Sequence, residues 1–290
     1  MTAQPQPVRR TALNRWADLQ DRLMSAAVLI PIAILAIYLG GLAVALVVAA
    51  TIAGAYREYE TMLNRGRHDW RGRATTGLLA LMPIGYAAGG FWASLLLLAV
   101  AVLFALAAAD RGGRHLMRAP GGAVLGFTGL AILALRGETQ LGIWQDGISV
   151  ALFLAFVVVL TDSGAFFTGR LLGGARLSPE ISPSKTWTGA FGGLLFGTIG
   201  GLVIWIFATQ SPIWIGLAIA GVVSVLAQLG DLAESAVKRR FMVKNSGDII
   251  PGHGGILDRI DSFTLAGIGL FIIGAAHNGL DAVAHGVLAW

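Results

Sequence analysis

The chain has 290 residues, 56% hydrophobic and only 13% charged, with a formal net charge of +5 and no cysteine. A soluble domain carries roughly a quarter charged residues, so this composition excludes an ordinary soluble fold and points to a chain that crosses a bilayer many times. The lack of cysteine excludes disulfides, thiolate metal sites and a cysteine nucleophile. No basic stripe interleaved with aromatics accompanies the positive charge, so nucleic acid is not an expected partner.

Residues 1–22 are polar and read as a cytoplasmic segment. They are not a cleavable leader, because the apolar stretch behind them is too long and lacks a small-residue cleavage site. Charge-free windows then mark the spans. Arg22 to Arg57 encloses 34 uncharged residues broken by Gly40-Gly41, which predicts a tight hairpin of two helices. Arg73 to Asp110 encloses 36, broken near Gly89-Gly90. Arg118 to Arg136 gives one short span. Asp146 to Asp162 gives another of about 15 residues, less than lipid thickness requires, with Asp162 closing it. Lys185 to Asp231 encloses 45, split at Thr209-Gln210-Ser211-Pro212, and Asp261 to Asp281 encloses 19. The predicted fold is all-α, a polytopic bundle of nine transmembrane helices. It falls into the segment 1–22, N-terminal helices over 23–145, and a region over 146–290 that carries the chemical residues.

Under this topology one side holds residues 1–22, 57–73, 110–118, 162–187 and 231–261. Those stretches contain 20 of the 21 Lys and Arg, and Arg136 is the remaining one. The positive-inside rule makes that side, and the N-terminus, cytoplasmic, in the inner (cell) membrane. Trp92, Trp144, Trp214 and Trp290 fall near the outer helix ends, and Trp16, Trp70 and Trp187 near the inner ones, as aromatic belts would. Gly193, Gly197 and Gly201 repeat every four residues on one face of the seventh predicted helix, a pattern that favours close helix packing over gating. Arg57, Glu58 and Glu60 read as a solvated cytoplasmic helix end.

Chemistry concentrates in two cytoplasmic stretches that hold Asp162, Asp231, Glu234, Asp248, Asp258 and Asp261 among Lys185, Lys238, Arg239, Lys244 and Arg259. Asp258 and Asp261 stand three apart at a predicted helix start, so they share one face in a place where the helix dipole favours negative charge. Each alone could be a helix cap. With Asp231 and Asp162 at the same level, an oxygen site for Mg2+ explains them better than Zn2+, since His is sparse and Cys absent. Pro251-Gly252-His253-Gly254-Gly255 leads into that helix, and such a turn exposes backbone N–H groups to an anion. A bare Gly-rich turn is a weak signal by itself. His253 fits a general base, a phosphate donor or a structural turn residue equally. Arg240 reads as positive-inside charge, whereas Lys238 and Lys244 fit phosphate contacts better. Ser182 and Ser184 could contact phosphate or shape a Pro-bracketed turn, and Ser184 leans to the turn.

At these residues the sequence resembles the phosphatidate cytidylyltransferase (CDP-diglyceride synthase) family. The matching positions are Ser235, Lys238-Arg239, Lys244 and the run His253-Gly254-Gly255-Ile256-Leu257-Asp258-Arg259-Ile260-Asp261. Gln228-Leu229-Gly230-Asp231 with Glu234, Asp162-x-Gly164-Ala165 with Gly169-Arg170, and Ile181-Ser182-Pro183-x-Lys185-Thr186-Trp187 match as well. The likeness is close over roughly 160–265 and is one of hydropathy alone before that. At one position the chain departs: the family has Asp directly after the lysine matched by Lys244, and here Asn245 stands there. Either Asp248 substitutes or the position tolerates an amide.

The resemblance implies a nucleotidyltransferase of phospholipid biosynthesis that joins CTP to phosphatidic acid, giving CDP-diacylglycerol and pyrophosphate, with Mg2+ as cofactor. By the same resemblance Asp231, Asp258, Asp261 and Lys238 are catalytic, and Asp162, Asp231, Asp258 and Asp261 hold metal. Lys185, Ser182, Arg239, Lys244, Gly252, His253, Gly254, Gly255 and Arg259 contact substrate. The short spans predict a lipid-open cavity. CTP, phosphatidic acid and the bilayer are the expected partners, and a homodimer is admitted but not required. Two rivals remain in view. An ion-coupled transporter would place its acids mid-helix. A polyprenol kinase would use the same residue types for phosphoryl transfer.

Overall fold

The computed structural model describes residues 12–64, 66, 69–108, 115–137, 145–247, 249 and 254–290, with the backbone alone for 12–23, 26 and 115. The helices are α1 (Ala12–Leu39), α2 (Gly41–Leu63), α3 (Trp70–Ala107), α4 (His115–Arg136), α5 (Asp146–Leu172), α6 (Trp187–Ala208), α7 (Ile213–Arg240), α8 (Leu257–Asn278) and the short α9 (Val283–Leu288). Strands β1 (Arg176–Ser178) and β2 (Ser182–Thr186) form one antiparallel hairpin between α5 and α6, pairing Arg176 with Thr186 and Ser178 with Ser182. The all-α expectation therefore holds for the bundle. The Pro-bracketed stretch is a β-hairpin and not a simple turn.

Among the described residues seven helices, α2 to α8, are long and apolar enough to cross a membrane. One of them is folded double. At about 1.5 Å per residue a straight α3 would run roughly 57 Å, far beyond the hydrocarbon thickness. Gly90, at φ 71° and ψ −162°, breaks it where the Gly89-Gly90 pair predicts. The two limbs then pack on each other: the Ser94 hydroxyl donates to the Met82 carbonyl at 3.0 Å, though the residues are twelve apart. Gly40, at φ 64°, separates α1 from α2 in the same manner.

Two spans extend beyond their charge-free windows. α5 has 27 residues and continues ten past Asp162, ending only at Gly173 with φ 63°. α7 likewise runs on from Asp231 to Arg240. A charge-free window finds where charge begins, not where hydrogen bonding stops, so neither aspartate closes its helix. The spans beside the site, α5 and α7, are therefore not short.

The interior forms two apolar clusters. One joins α2, α3 and α4 around Tyr56, Leu79 and Met82. The other joins α4, α5, α6, α7, α8 and α9 around Phe153, Trp205 and Leu270. Large apolar side chains such as Leu96, Phe191, Phe207 and Trp214 point outward. On a soluble protein they would form an aggregation-prone patch, and in lipid they are solvated. Arg136 is buried. Its guanidinium donates to the carbonyls of Ile37, at 2.5 Å, and Tyr38, at 3.2 Å, which end α1. Arg136 thus serves as a helix C-cap and is not a loop charge.

The glycine face has the packing role its spacing predicts. In α6, Gly193, Gly197 and Gly201 are buried against α5. A Cβ at Gly193 would stand 2.8 Å from the Thr161 carbonyl, and one at Gly201 would stand 2.8 Å from the Ala220 Cβ of α7. Gly193→Leu should therefore destabilise the fold by about 1–3 kcal/mol through overpacking, read as a lower melting temperature in detergent.

Candidate active site

The hairpin, α5, α6 and α7 enclose a cavity of about 720 Å³. Its walls carry Asp162, Phe166, Arg170, Arg176, Ser184, Lys185, Gln228 and Asp231. Each wall has a local cause. Thr186 caps α6 by accepting from the Gly189 N–H at 3.1 Å, which fixes where β2 turns into the helix. The Arg239 guanidinium donates to the Ile181 carbonyl at 3.2 Å, tying the hairpin tip to the end of α7. Within the bundle, Thr161 and Ser224 share a 2.7 Å hydrogen bond between α5 and α7, next to Asp162. α7 meets α8 so closely at Gly230 that any side chain there would strike the Asp261 carbonyl.

These contacts bring three carboxylates from three helices together. Asp162, Asp231 and Asp261 lie within electrostatic reach of one another. Lys185 reaches across the cavity to Asp231 at 2.8 Å. Ser262 links the other two, its hydroxyl donating to Asp162 at 3.2 Å and its N–H to Asp261 at 2.7 Å. Asp258 is occupied differently. It accepts from Lys238 at 2.8 Å and from the Ser246 N–H at 3.3 Å, and Lys238 also pairs with buried Glu234 at 2.5 Å. Among the described residues no group of three or more Asp, Glu or His is placed to hold a metal ion by itself. The donor chemistry nonetheless fits Mg2+, a hard ion that keeps waters and completes its shell with phosphate oxygens.

The remaining expected site residues divide. Ser182, the first residue of β2, is buried and does not line the cavity, whereas exposed Ser184 does. Lys244 and Arg259 are exposed, as is Asn245. Gly254 and Gly255 approach the start of α8, with Gly254 at φ 80°. Gly252, His253 and Asp248 lie outside the described residues.

The expectation of a solvated end at Glu58 and Glu60 fails, since both are only 3% exposed. Glu58 accepts from the N–H groups of Ile256, at 3.0 Å, and Leu257, at 2.9 Å, and from the Ser246 hydroxyl at 3.1 Å. The donors at the start of α8, expected to cradle a phosphate, are held by the protein's own carboxylate. Glu60 accepts from the Arg118 Nε at 2.9 Å and from Asn64 at 2.6 Å. Arg118, fully buried, also reaches Asp69 at 2.6 Å. Nothing in the spacing of Glu58, Glu60 and Arg118 marks them as buried. Only the i,i+4 spacing of Glu234 and Lys238 was open to the sequence.

The bundle thus brings two aspartates, one lysine and two arginines to the wall of a single cavity. The profile of the family described as "Cytidylyltransferase family" matches residues 20–276. The chain belongs to that family, whose chemistry is nucleotidyl transfer. A phosphatidate cytidylyltransferase of Brucella suis biovar 1 is 35% identical over 272 residues, covering 89% of this chain and 94% of that protein. Those of Staphylococcus saprophyticus and Staphylococcus epidermidis are 51% identical over 140 residues and 50% over 120. They cover 48% and 41% of this chain, and 52% and 46% of their own.

Partial burial alone would raise the Asp69 carboxyl, but the Gly72 N–H and the Arg118 guanidinium outweigh it and hold it below its ordinary value. A depressed folded value means the stabilisation is present above the unfolded pKa and lost as pH falls through the folded one. The melting temperature should accordingly drop below about pH 4. Arg118→Met should flatten that drop and, by leaving Glu60 buried without its guanidinium, cost about 3–5 kcal/mol at neutral pH.

Proposed function

We propose that this chain makes CDP-diacylglycerol from CTP and phosphatidic acid. The observation that carries the reading is the convergence of Lys185, Asp162 and Asp231 on one cavity, with Asp261 within electrostatic reach of both aspartates, in a chain matched to the family almost end to end. An oxygen of the lipid phosphate attacks the α-phosphorus of CTP, the bond from that phosphorus to the β-phosphate oxygen breaks, and pyrophosphate leaves with the electron pair. The attacking oxygen is already ionised, so no side-chain nucleophile is required, in keeping with a chain that has no cysteine.

Both substrates are anions, so the main barrier the protein must lower is their repulsion. Mg2+, when bound, would supply the neutralising charge, with oxygens of Asp162, Asp231 and Asp261 as its protein donors. Lys185 lies on the cavity wall and serves the phosphates directly. Asp258 and Glu234 position Lys238 between α7 and α8, so that its ammonium faces the site from a fixed place. Arg239, Lys244 and Arg259, with the turn from Gly252 through His253 to Gly255, complete the phosphate contacts. Ser184 takes the place given to Ser182.

In this reading the N-terminus and the cavity face the cytoplasm at the cell membrane, which puts 20 of the 21 Lys and Arg inside. Nine crossings follow if α1 and both limbs of α3 each span. Phe166, at the cavity edge, and exposed Phe191 offer an apolar flank to acyl chains.

The test is turnover of phosphatidic acid by the purified chain in vesicles, with CTP, ATP or GTP and with or without Mg2+. CTP-selective, Mg2+-dependent product is expected. Equal use of ATP, or full activity in excess chelator, would overturn the reading. Asp261→Asn should lower turnover at least about 100-fold, with melting in detergent unchanged.

A further inference from the structure

The first turn of an α-helix leaves up to four N–H groups without helical partners. In α8 the residue at the cap position, Ile256, has no side chain to satisfy them. The missing acceptor comes from another helix, 198 residues earlier in the chain: Glu58 of α2 takes the Ile256 N–H on one carboxylate oxygen and the Leu257 N–H on the other. The backbone is shaped to receive it. A Cβ at Gly247 would stand 2.6 Å from one Glu58 oxygen, and a Cβ at Gly255 would stand 2.6 Å from the other. Two glycines therefore let the loop before α8 close around this carboxylate.

The contact continues into the site. Ser246 donates its hydroxyl to Glu58 and its N–H to Asp258, and Asp258 holds Lys238, which holds Glu234. One continuous polar chain thus runs from α2 through the loop to α8 and α7. Asp258 follows Leu257 directly, and Asp261 lies one turn further on. The carboxylate of Glu58 is 3% exposed, so it is not placed to meet substrate.

We infer that Glu58 is a positioning residue for nucleotidyl transfer: it sets the start of α8, and through it the placement of Asp258, Lys238 and Asp261, from the otherwise unassigned N-terminal half. This rests on the proposed CTP-dependent reaction. Glu58→Gln keeps the volume but turns an NH2 group toward an N–H or hydroxyl donor, so at least one of the three bonds is lost. Misplacing reacting groups by about 1 Å can slow a reaction 100-fold.

The experiment compares wild type, Glu58→Gln and Ser246→Ala as full chains in the same vesicles, measuring kcat and KM for CTP and for phosphatidic acid. Melting in detergent and amide exchange across 254–260 are followed in parallel. For Glu58→Gln we expect kcat to fall about 10- to 100-fold, both KM values to stay within about twofold, and exchange at Ile256 and Leu257 to accelerate while the rest of α8 stays protected. Ser246→Ala, which removes one hydroxyl and keeps the backbone, should show a smaller fall in kcat with the fold intact. The latter variant decides the matter if the former does not fold. Unchanged kcat in Ser246→Ala, or a loss in Glu58→Gln that disappears when activity is counted per folded molecule, would overturn the inference. A wild type that does not turn over CTP would instead overturn the reading of the reaction.

Discussion

The structure depends on holding like charges together. Asp162, Asp231 and Asp261 come from α5, α7 and α8 and face one another at one end of the bundle. The Ser262 hydroxyl and N–H tie Asp162 to Asp261, and Lys185 pairs with Asp231. α5 lies against α6 on a row of buried glycines, and α7 lies against α8 at Gly230, so rigid backbone contact keeps the acids close.

The surrounding charges support this centre in separate ways. Lys238 sits between Glu234 and Asp258 and joins α7 to α8. Arg239 ties the hairpin tip to the end of α7. On the far side, Arg118 gathers Glu60 and Asp69 from the ends of α2 and α3. A buried ion group of that kind adds little stability over an apolar one, yet is costly to break singly. Its value is that it admits one register between α2, α3 and α4. Glu58 carries that register to α8. The N-terminal helices, which the family profile matches from residue 20 onward, reach the start of α8 through Glu58.

Much was legible in the sequence because its causes are local. A bilayer imposes long apolar runs, and glycine pairs break them: Gly40-Gly41 and Gly89-Gly90 mark the ends of helices in the chain as they do in the fold. The four-residue glycine spacing of α6 is a packing face by geometry alone. Asp162, Lys185 and Asp231, which their local patterns single out, line one cavity. The tertiary structure decided the rest. Glu58, Glu60 and Arg118 look like surface charge at a helix end, and whether a helix end is solvated depends on what another helix brings to it. Asp162 and Asp231 lie inside their helices, since backbone hydrogen bonding continues past a charge when a neighbouring helix or cavity receives it. Ser184 in place of Ser182 follows from a strand that hydropathy did not reveal. Sequence thus determined which segments enter the membrane and which residue types do chemistry, both being properties of single segments. Which carboxylates meet, and which donors are already taken, are properties of pairs of segments, and those exist only once the helices pack.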